Sequence, residues 1–340
     1  MPRHVVTVFG GSGFIGRHLI QRLVRQGAQV RVPTRDTEAA NYLKPMGEIG
    51  QIAPVPVEFS DPASLARAVA GSDQVVNLIG ILSKWGRSTF QSIHVEAAAA
   101  IAKAAKEAGA KQMVHVSALG ASKESEAEYA RSKAAGEEAV QENFPGAVVL
   151  RPSAIFGPND HFFNMFASLA RATPVMPVFG CPLIPKITLF GDSDLPFDLD
   201  FYGDGGTKLQ PVYVGDVADA ILGVLADDGS AGKTFELGGP QVYSFKAMME
   251  MVLRESGRPR ILVPYPFAMA KFAAWFLEFL PKPMLTRDQV TLLKTDNVVS
   301  GDLPGFDELG IKPATAESVL PRYLRRFRPT AQRHIRDAEV

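Results

Sequence analysis

Tyr129 and Lys133 stand four residues apart in Tyr129-Ala130-Arg131-Ser132-Lys133, so on a helix they share one face. A phenol beside an ammonium can do proton chemistry. The positive charge lowers the phenol pKa, the phenol exchanges a proton with a carbonyl or alcohol, and the amine can also hydrogen-bond a sugar hydroxyl. The spacing is common, so its meaning depends on what precedes it. Near the start of the chain, Gly10, Gly13 and Gly16 fall at G-x-x-G-x-x-G spacing. They follow the apolar run Val5-Val6-Thr7-Val8-Phe9 and precede Leu19, Ile20, Leu23 and Val24 at helical spacing. A strand that ends in glycines and opens a helix is an anion site, because the first-turn amides are unpaired and missing Cβ atoms let a phosphate approach the backbone. Gly10, Ser12, Gly13, Phe14, Ile15 and Gly16 are therefore the expected cradle of a dinucleotide.

The elements that must position these groups are legible as alternating strands and helices. Residues 28–33 read as a second strand, at whose end such a fold selects its cofactor. An acid there favours NAD through the ribose 2′-hydroxyl, an arginine the 2′-phosphate of NADP. Arg35 occupies that place, Arg17 adds a second positive charge just past Gly16, and Asp36 follows Arg35. The pattern favours NADPH over NADH. Residues 55–61 read as a third strand that leads into a helix at Pro62, with Asp61 as its N-cap or a contact to the adenine amino group. Residues 74–80 form a fourth strand that brings Asn77 and Leu78 beside the cofactor ribose. Residues 93–108 are alanine-rich and predict a helix closing at Gly109. Residues 112–117 form a fifth strand ending at Ser117. His115, inside that apolar run, reads as a packed core residue.

The order of glycine motif, strand-five Ser117, Tyr129-x-x-x-Lys133 and Arg151-Pro152-Ser153-Ala154-Ile155-Phe156-Gly157-Pro158 resembles the extended or atypical short-chain dehydrogenase/reductase family over roughly residues 4 to 240. The resemblance implies an α/β Rossmann fold: a doubly wound parallel sheet of about seven strands with a smaller, mostly helical C-terminal lobe. It divides the chain into a nucleotide-binding domain (1–157 plus 210–240), a lobe (158–209 plus 241–325) and a basic tail (326–340). It also implies that Lys133 binds the nicotinamide ribose, that Tyr129 is the acid/base, and that Pro152 and Ile155 line the cofactor groove. One departure matters. The family places a catalytic Ser or Thr at the end of strand five or about two residues past it. Here Ser117 stands at the end, while Ala118 and Leu119 fill the next places, so Tyr129 and Lys133 are expected to remain as ribose ligands with catalysis lost.

Two stretches toward the C-terminus carry a second likeness. Residues 267–280 lie between prolines and contain only Lys271 and Glu278 as charges. As a helix they extend about 21 Å, short of the roughly 30 Å hydrocarbon core, so they suit a membrane interface, an apolar partner or a buried core position. Arginines then recur from Arg322 to Arg336, which suits anionic lipid, an acidic protein surface or simply an unstructured tail. With Val114-His115-Val116-Ser117-Ala118-Leu119-Gly120, Gln210-Pro211-Val212-Tyr213-Val214-Gly215-Asp216 and Leu309-Gly310-Ile311-Lys312-Pro313, the chain resembles the nucleotide-binding accessory subunits of respiratory complex I. That resemblance implies a tightly held NADPH with a structural role, other complex I subunits as partners, and docking on the peripheral arm near the membrane and the quinone entrance. It implies the cytoplasmic face of a bacterial inner membrane, or the matrix side in a mitochondrion. The alternative is an active soluble NADP-dependent reductase or epimerase/dehydratase.

Composition sets outer limits. Lys plus Arg and Asp plus Glu number 36 each, so no net charge draws the protein toward nucleic acid. One cysteine, Cys181, excludes an internal disulfide and suits a reducing compartment. No cleavable leader is expected ahead of the first strand, and no apolar run reaches the ~18 residues of a spanning helix. The insertion 184–204 is rich in Gly, Pro and Asp and reads as a loop or hairpin. Asp192, Asp194, Asp198 and Asp200 lack a calcium-loop spacing, so no metal is expected.

Overall fold

The computed structural model describes residues 4–182, 186–189, 197–280 and 283–329, with backbone alone at 186–189 and 197–199. The chain divides into two compact units. Met1–Ser153, Val214–Gly238 and Val299–Pro313 form the first; Ala154–Tyr213, Gly239–Val298 and Ala314–Val340 form the second.

The first unit is built on β1 (Val5–Phe9), β2 (Gln29–Thr34), β3 (Ile52–Pro56), β4 (Gln74–Asn77), β5 (Gln112–Val116), β6 (Val148–Pro152) and a seventh strand, Thr234–Leu237. All pair in parallel, in the order Thr234–Leu237, β6, β5, β4, β1, β2, β3. Parallel strands are covered on both faces and therefore read as short apolar runs. In β1, Val6, Val8 and Phe9 are wholly buried. The chain steps outward from β1 in both directions, so the switch point lies between β1 and β4, where such sheets open a crevice at their carboxyl ends. Helices α1 (Phe14–Arg25), α2 (Pro62–Val69), α3 (Ala97–Glu107), α4 (Glu128–Asn143) and Val214–Ala226 complete the unit.

Three elements differ from the expectation. β3 ends at Pro56 rather than running through residues 55–61. It is the edge strand, where Pro54 and Pro56 are tolerated because their missing N–H groups need not pair. The helix expected from residue 93 opens as a π-turn, Gln91–Glu96, before α3 begins. Val299–Pro313, expected in the lobe, belongs to the first unit: Glu236 donates its N–H to Pro304 O at 2.9 Å, and its carboxylate accepts from the Ser300 N–H at 2.6 Å.

The second unit packs the helices Phe162–Ala172, Phe245–Ser256 and Ala316–Leu324 around Phe163, Phe166, Phe179, Phe245, Leu320 and Leu324. Short paired strands accompany them, among them Lys186–Leu189 with Phe197–Asp200, antiparallel within the insertion. The residues expected to open the basic tail pack within the second unit. Arg325–Phe327 is a 3-10 turn with Phe327 buried, Arg326 donates to Asn164 Oδ1 at 2.8 Å, and Arg328 donates to Glu255 O at 2.9 Å. Residues 330–340, with Arg333 and Arg336, lie outside the described residues, as do Asp192 and Asp194.

The helix Phe267–Leu277 buries only Ala270 and Ala274. Its large side chains face outward: Phe272 is 66% exposed, Phe276 54% and, just beyond, Phe279 73%, with Met269 and Trp275 also exposed. Among the described residues nothing covers this face, so they do not give the helix the buried core position that was one of the alternatives above. Among the described residues no helix is long and apolar enough to cross a membrane.

Candidate functional site

The glycine turn is built as its spacing requires. Gly10 has φ +75°, and a Cβ there would stand 3.1 Å from the Leu78 carbonyl carbon; the exits of β1 and β4 therefore touch across the switch point. Gly13 is the N-cap of α1, with no side-chain cap, so the amides of Phe14 and Ile15 are not closed off by a side chain. Gly16 lies against the backbone of Gly11, where a Cβ would be 2.5 Å from its carbonyl carbon and Cα. That contact brings the helix start down onto the turn. Ser12 is held through its carbonyl by the Tyr42 hydroxyl at 2.7 Å.

The cationic groups follow. Arg17 lies over the Phe14 ring, its Cζ 5.6 Å from the centroid, and its buried Nε has no hydrogen-bond partner among the described residues. Beside it, burial and the charges of Arg17 and Arg22 push His18 down to about 4. Arg35 is exposed at the end of β2. Asp36, exposed beside it, accepts from the Ala39 N–H at 2.9 Å, a local turn contact. Asp61 caps α2 with both carboxylate oxygens, accepting from Ala63 N at 3.0 Å and Ser64 N at 3.1 Å. Of its two expected roles, the cap is the one this geometry displays.

Asn77 is buried and turned inward. Its Oδ1 accepts from Ile79 N at 3.0 Å, so its amide NH₂ faces His115 Nδ1 at 3.1 Å. His115 therefore carries its proton on Nε2, and burial, reinforced by Lys133, pulls its pKa to about 3. His115 is the core residue expected. Its Nε2 and the hydroxyl of buried Ser117 have no partner among the described residues. Leu119 donates its N–H to Pro152 O at 2.9 Å, locking the chain past Ser117 to the end of β6. Ile155 belongs to the second unit, paired with Val212.

Tyr129 and Lys133 share a face of α4 as the spacing predicts, yet the electrostatics differ from the expectation. Lys133 is 5% exposed, and its ammonium donates to Val116 O at 3.2 Å. Burial lowers its pKa to about 8, partly opposed by Glu137, which is itself held by Arg151 at 2.6 and 2.9 Å. Tyr129 packs edge-on against Phe90 and His94, and burial raises its phenol to about 12. Desolvation outweighs any help from the ammonium, so the phenol is not tuned toward neutral pH.

His94 is the residue that sequence reasoning missed. It sits buried on the π-turn, stacked on Phe90 at 5.4 Å. Its Nε2 accepts from Ile81 N at 3.0 Å and its Nδ1 meets Ser132 Oγ at 2.8 Å. Burial and Lys133 pull its pKa to about 3. The available signal was Gly136 inside a helix, which ordinarily marks a close approach; a Cβ there would collide with the His94 carbonyl. Gly80 is the matching space opposite, its absent Cβ 3.3 Å from Lys133 Nζ.

Free first-turn amides, glycines at the points of closest approach and a guanidinium with an unpartnered nitrogen fit a phosphate-bearing ligand, and the Lys133 amine fits a hydroxyl donor or acceptor beside it. Among the described residues no cluster of three metal-ligating side chains occurs.

Residues 6–238 match the family model of the NAD dependent epimerase/dehydratase family. The chain is 35% identical over 326 residues to the mitochondrial NADH dehydrogenase (ubiquinone) 1 alpha subcomplex subunit 9 of Mus musculus, covering 95% of this chain and 80% of the mouse protein. It is 32% identical over 329 residues to the mitochondrial NADH-ubiquinone oxidoreductase 40 kDa subunit of Neurospora crassa, covering 96% and 80%. In fold it resembles the triphenylmethane reductase of Citrobacter sp., with TM-score 0.70, 18% identity and coverage of 94% and 99%.

Proposed function

Because this chain belongs to the NAD dependent epimerase/dehydratase family, and within it to the family of those mitochondrial NADH dehydrogenase subunits, we propose that it is an accessory subunit of a respiratory NADH:quinone oxidoreductase that holds NADPH as a structural ligand. The observation that carries the subunit reading is the apolar face of residues 267–280. Phe272, Trp275, Phe276 and Phe279 are held outward by a helix whose only buried side chains are two alanines. Exposed aromatic surface of that extent marks an interaction site. In this reading it beds against the membrane interface beside the peripheral arm, on the cytoplasmic side in a bacterium or the matrix side in a mitochondrion. Exposed Arg322 and Arg325 supply attraction to anionic head groups.

In the nucleotide site, the amides after Gly13 take the pyrophosphate, Arg17 and Arg35 the 2′-phosphate, and Lys133 the nicotinamide ribose. NADPH, when bound, supplies a reduced nicotinamide. The chain's own residues orient the molecule and exclude water, and the raised Tyr129 phenol and buried Ser117 argue against turnover. The shared face of Tyr129 and Lys133 keeps an active NADP-dependent reductase or epimerase as the second reading; there Tyr129→Phe abolishes turnover of a carbonyl substrate and leaves nucleotide binding intact.

Two measurements on one sample test the proposal. The oxidoreductase is purified in mild detergent, its chains are identified by mass spectrometry, and its released nucleotide is quantified. The chain co-purifies, with NADPH near one per copy; its absence from the complex refutes the subunit reading. Arg17→Ala and Arg35→Ala each weaken NADPH binding by about 10–100-fold, the loss of one charge-assisted contact, with NADH little changed. Equal loss for both nucleotides refutes the assignment to the 2′-phosphate.

A further inference from the structure

The bonding around His94 has only one self-consistent arrangement of protons. Ile81 N–H can only donate, so His94 Nε2 is an acceptor and carries no proton. The neutral ring then bears its proton on Nδ1 and donates it to Ser132 Oγ. The Ser132 hydroxyl donates onward to Tyr129 O at 2.7 Å. This directed chain runs from the backbone just past β4 to the first turns of α4 and crosses the gap in which the Lys133 ammonium lies. Gly80, next to Ile81, faces that ammonium with no side chain of its own; a Cβ there would be 3.3 Å from Lys133 Nζ and 3.7 Å from His94 Nε2. The three groups are packed edge to edge. The π-turn is what makes the arrangement possible: an extra residue in the turn pushes the helix out of regular register, and Gly136 lets its carbonyl side settle onto α4.

We propose that His94 is a positioning residue of the nucleotide site: a neutral, Nδ1-protonated imidazole that ties the Gly80–Ile81 backbone to the Tyr129–Lys133 turns of α4 and so fixes where the Lys133 amine meets its ligand. The inference rests on the nucleotide reading above, because the place of the amine matters only if a ribose reaches it. A neutral ring is required, since an imidazolium would both lose the Ile81 bond and repel the neighbouring ammonium.

Three substitutions in the full chain separate the two ends of the link. His94→Gln keeps an acceptor near the former Nε2, His94→Asn keeps a donor near the former Nδ1, and His94→Phe keeps only the ring and its stacking on Phe90. Hydrogen exchange of the segment holding Ile81, thermal melting and NADPH titration are measured on each. His94→Gln retains slow Ile81 exchange and binds within about threefold of the parent. His94→Asn and His94→Phe exchange Ile81 faster and bind about tenfold more weakly, the loss expected of one hydrogen bond. Ser132→Ala, which removes the other end, weakens binding in the same direction. A purely structural role gives affinities that follow melting temperature across the set, with no rescue by His94→Gln; that pattern overturns the proposal, as does unchanged Ile81 exchange in His94→Phe. If the parent protein binds no dinucleotide, the nucleotide reading has failed, and this inference with it. If the parent binds and the ranking is absent, the inference alone has failed.

Discussion

Gly16→Ala sets two well-defined effects against each other. In an ordinary helix interior this change stabilises by about 1 kcal/mol, because glycine loses more backbone freedom on folding. Here the new methyl would stand 2.5 Å from backbone atoms of Gly11, and ordinary contact begins near 3.4 Å, so the start of α1 must retreat from the turn by about 0.9 Å. No side-chain rotation relieves a clash between a Cβ and backbone, and overpacking of this kind costs about 1–3 kcal/mol. At the upper end of that range the net effect is a destabilisation of about 1–2 kcal/mol, or a fall of about 2–6 °C in Tm. The retreat also moves the first-turn amides away from the phosphate, so NADPH affinity falls by about tenfold or more. The control is Gly223→Ala in the helix Val214–Ala226, where the nearest atom to an added Cβ is Ile311 Cδ1 at 4.0 Å; it gains about 0.5–1 kcal/mol. Calorimetry and nucleotide titration of the two variants decide the matter. If Gly16→Ala melts at or above the parent temperature, the close approach of helix to turn is not a constraint, and the geometric account of the cradle fails.

Lys133 has a folded pKa near 8 against an ordinary 10.5. The unfolded chain therefore binds more protons than the folded one between those values, and stability rises with pH across that window. The rise is of the order of 1–3 kcal/mol in denaturant titrations from pH 7.5 to 10.5, and Lys133→Met flattens it. Tyr323→Phe removes the hydroxyl that donates to buried Asp160 at 2.5 Å, leaving the carboxylate short of a donor. Chemical denaturation registers a loss of about 1–3 kcal/mol in the second unit, and a loss below about 0.5 kcal/mol refutes the importance of the pair. Phe272→Asp, at a side chain 66% exposed, leaves stability within about 0.5 kcal/mol while abolishing co-sedimentation with vesicles of mixed anionic lipid; sedimentation equal to the parent excludes this face as a membrane contact.

The parts of this molecule legible in the sequence are those set by neighbours in the chain. β1, the glycine turn and α1 are one local unit, and their spacing dictates their geometry. The shared face of Tyr129 and Lys133 follows from helical periodicity alone. Quantities that depend on distant segments were not legible. The phenol of Tyr129 was expected to be lowered by Lys133, but Phe90 and His94, some 35 residues earlier, desolvate it. His94 lies in an alanine-rich stretch, and only folding brings it to Ile81 and Ser132. The apolar run continues through Val57 and Phe59 and so reads as a strand beyond the true end of β3, whereas pairing with β2 ends at Thr34 opposite Pro56. Residues 267–280 are apolar on nearly every face, so periodicity offers no choice between core and surface; among the described residues the folded chain buries only two alanines of the helix Phe267–Leu277.

The interleaving of the two units bears on how the protein is made. The chain passes between them at residues 153, 213, 238, 298 and 313. During synthesis the first six strands of the large sheet emerge together, but the seventh arrives only after Ala154–Tyr213 has been extruded, and the Val299–Pro313 segment that contacts it comes later still. Until then β6 presents an open parallel edge, the kind of surface on which nascent chains aggregate. A ribosome-bound intermediate stalled before residue 234 should therefore be the species that chaperones hold. Neither unit can be expressed as one continuous fragment, and a truncation before residue 299 strips the finished sheet of its last contact at Glu236.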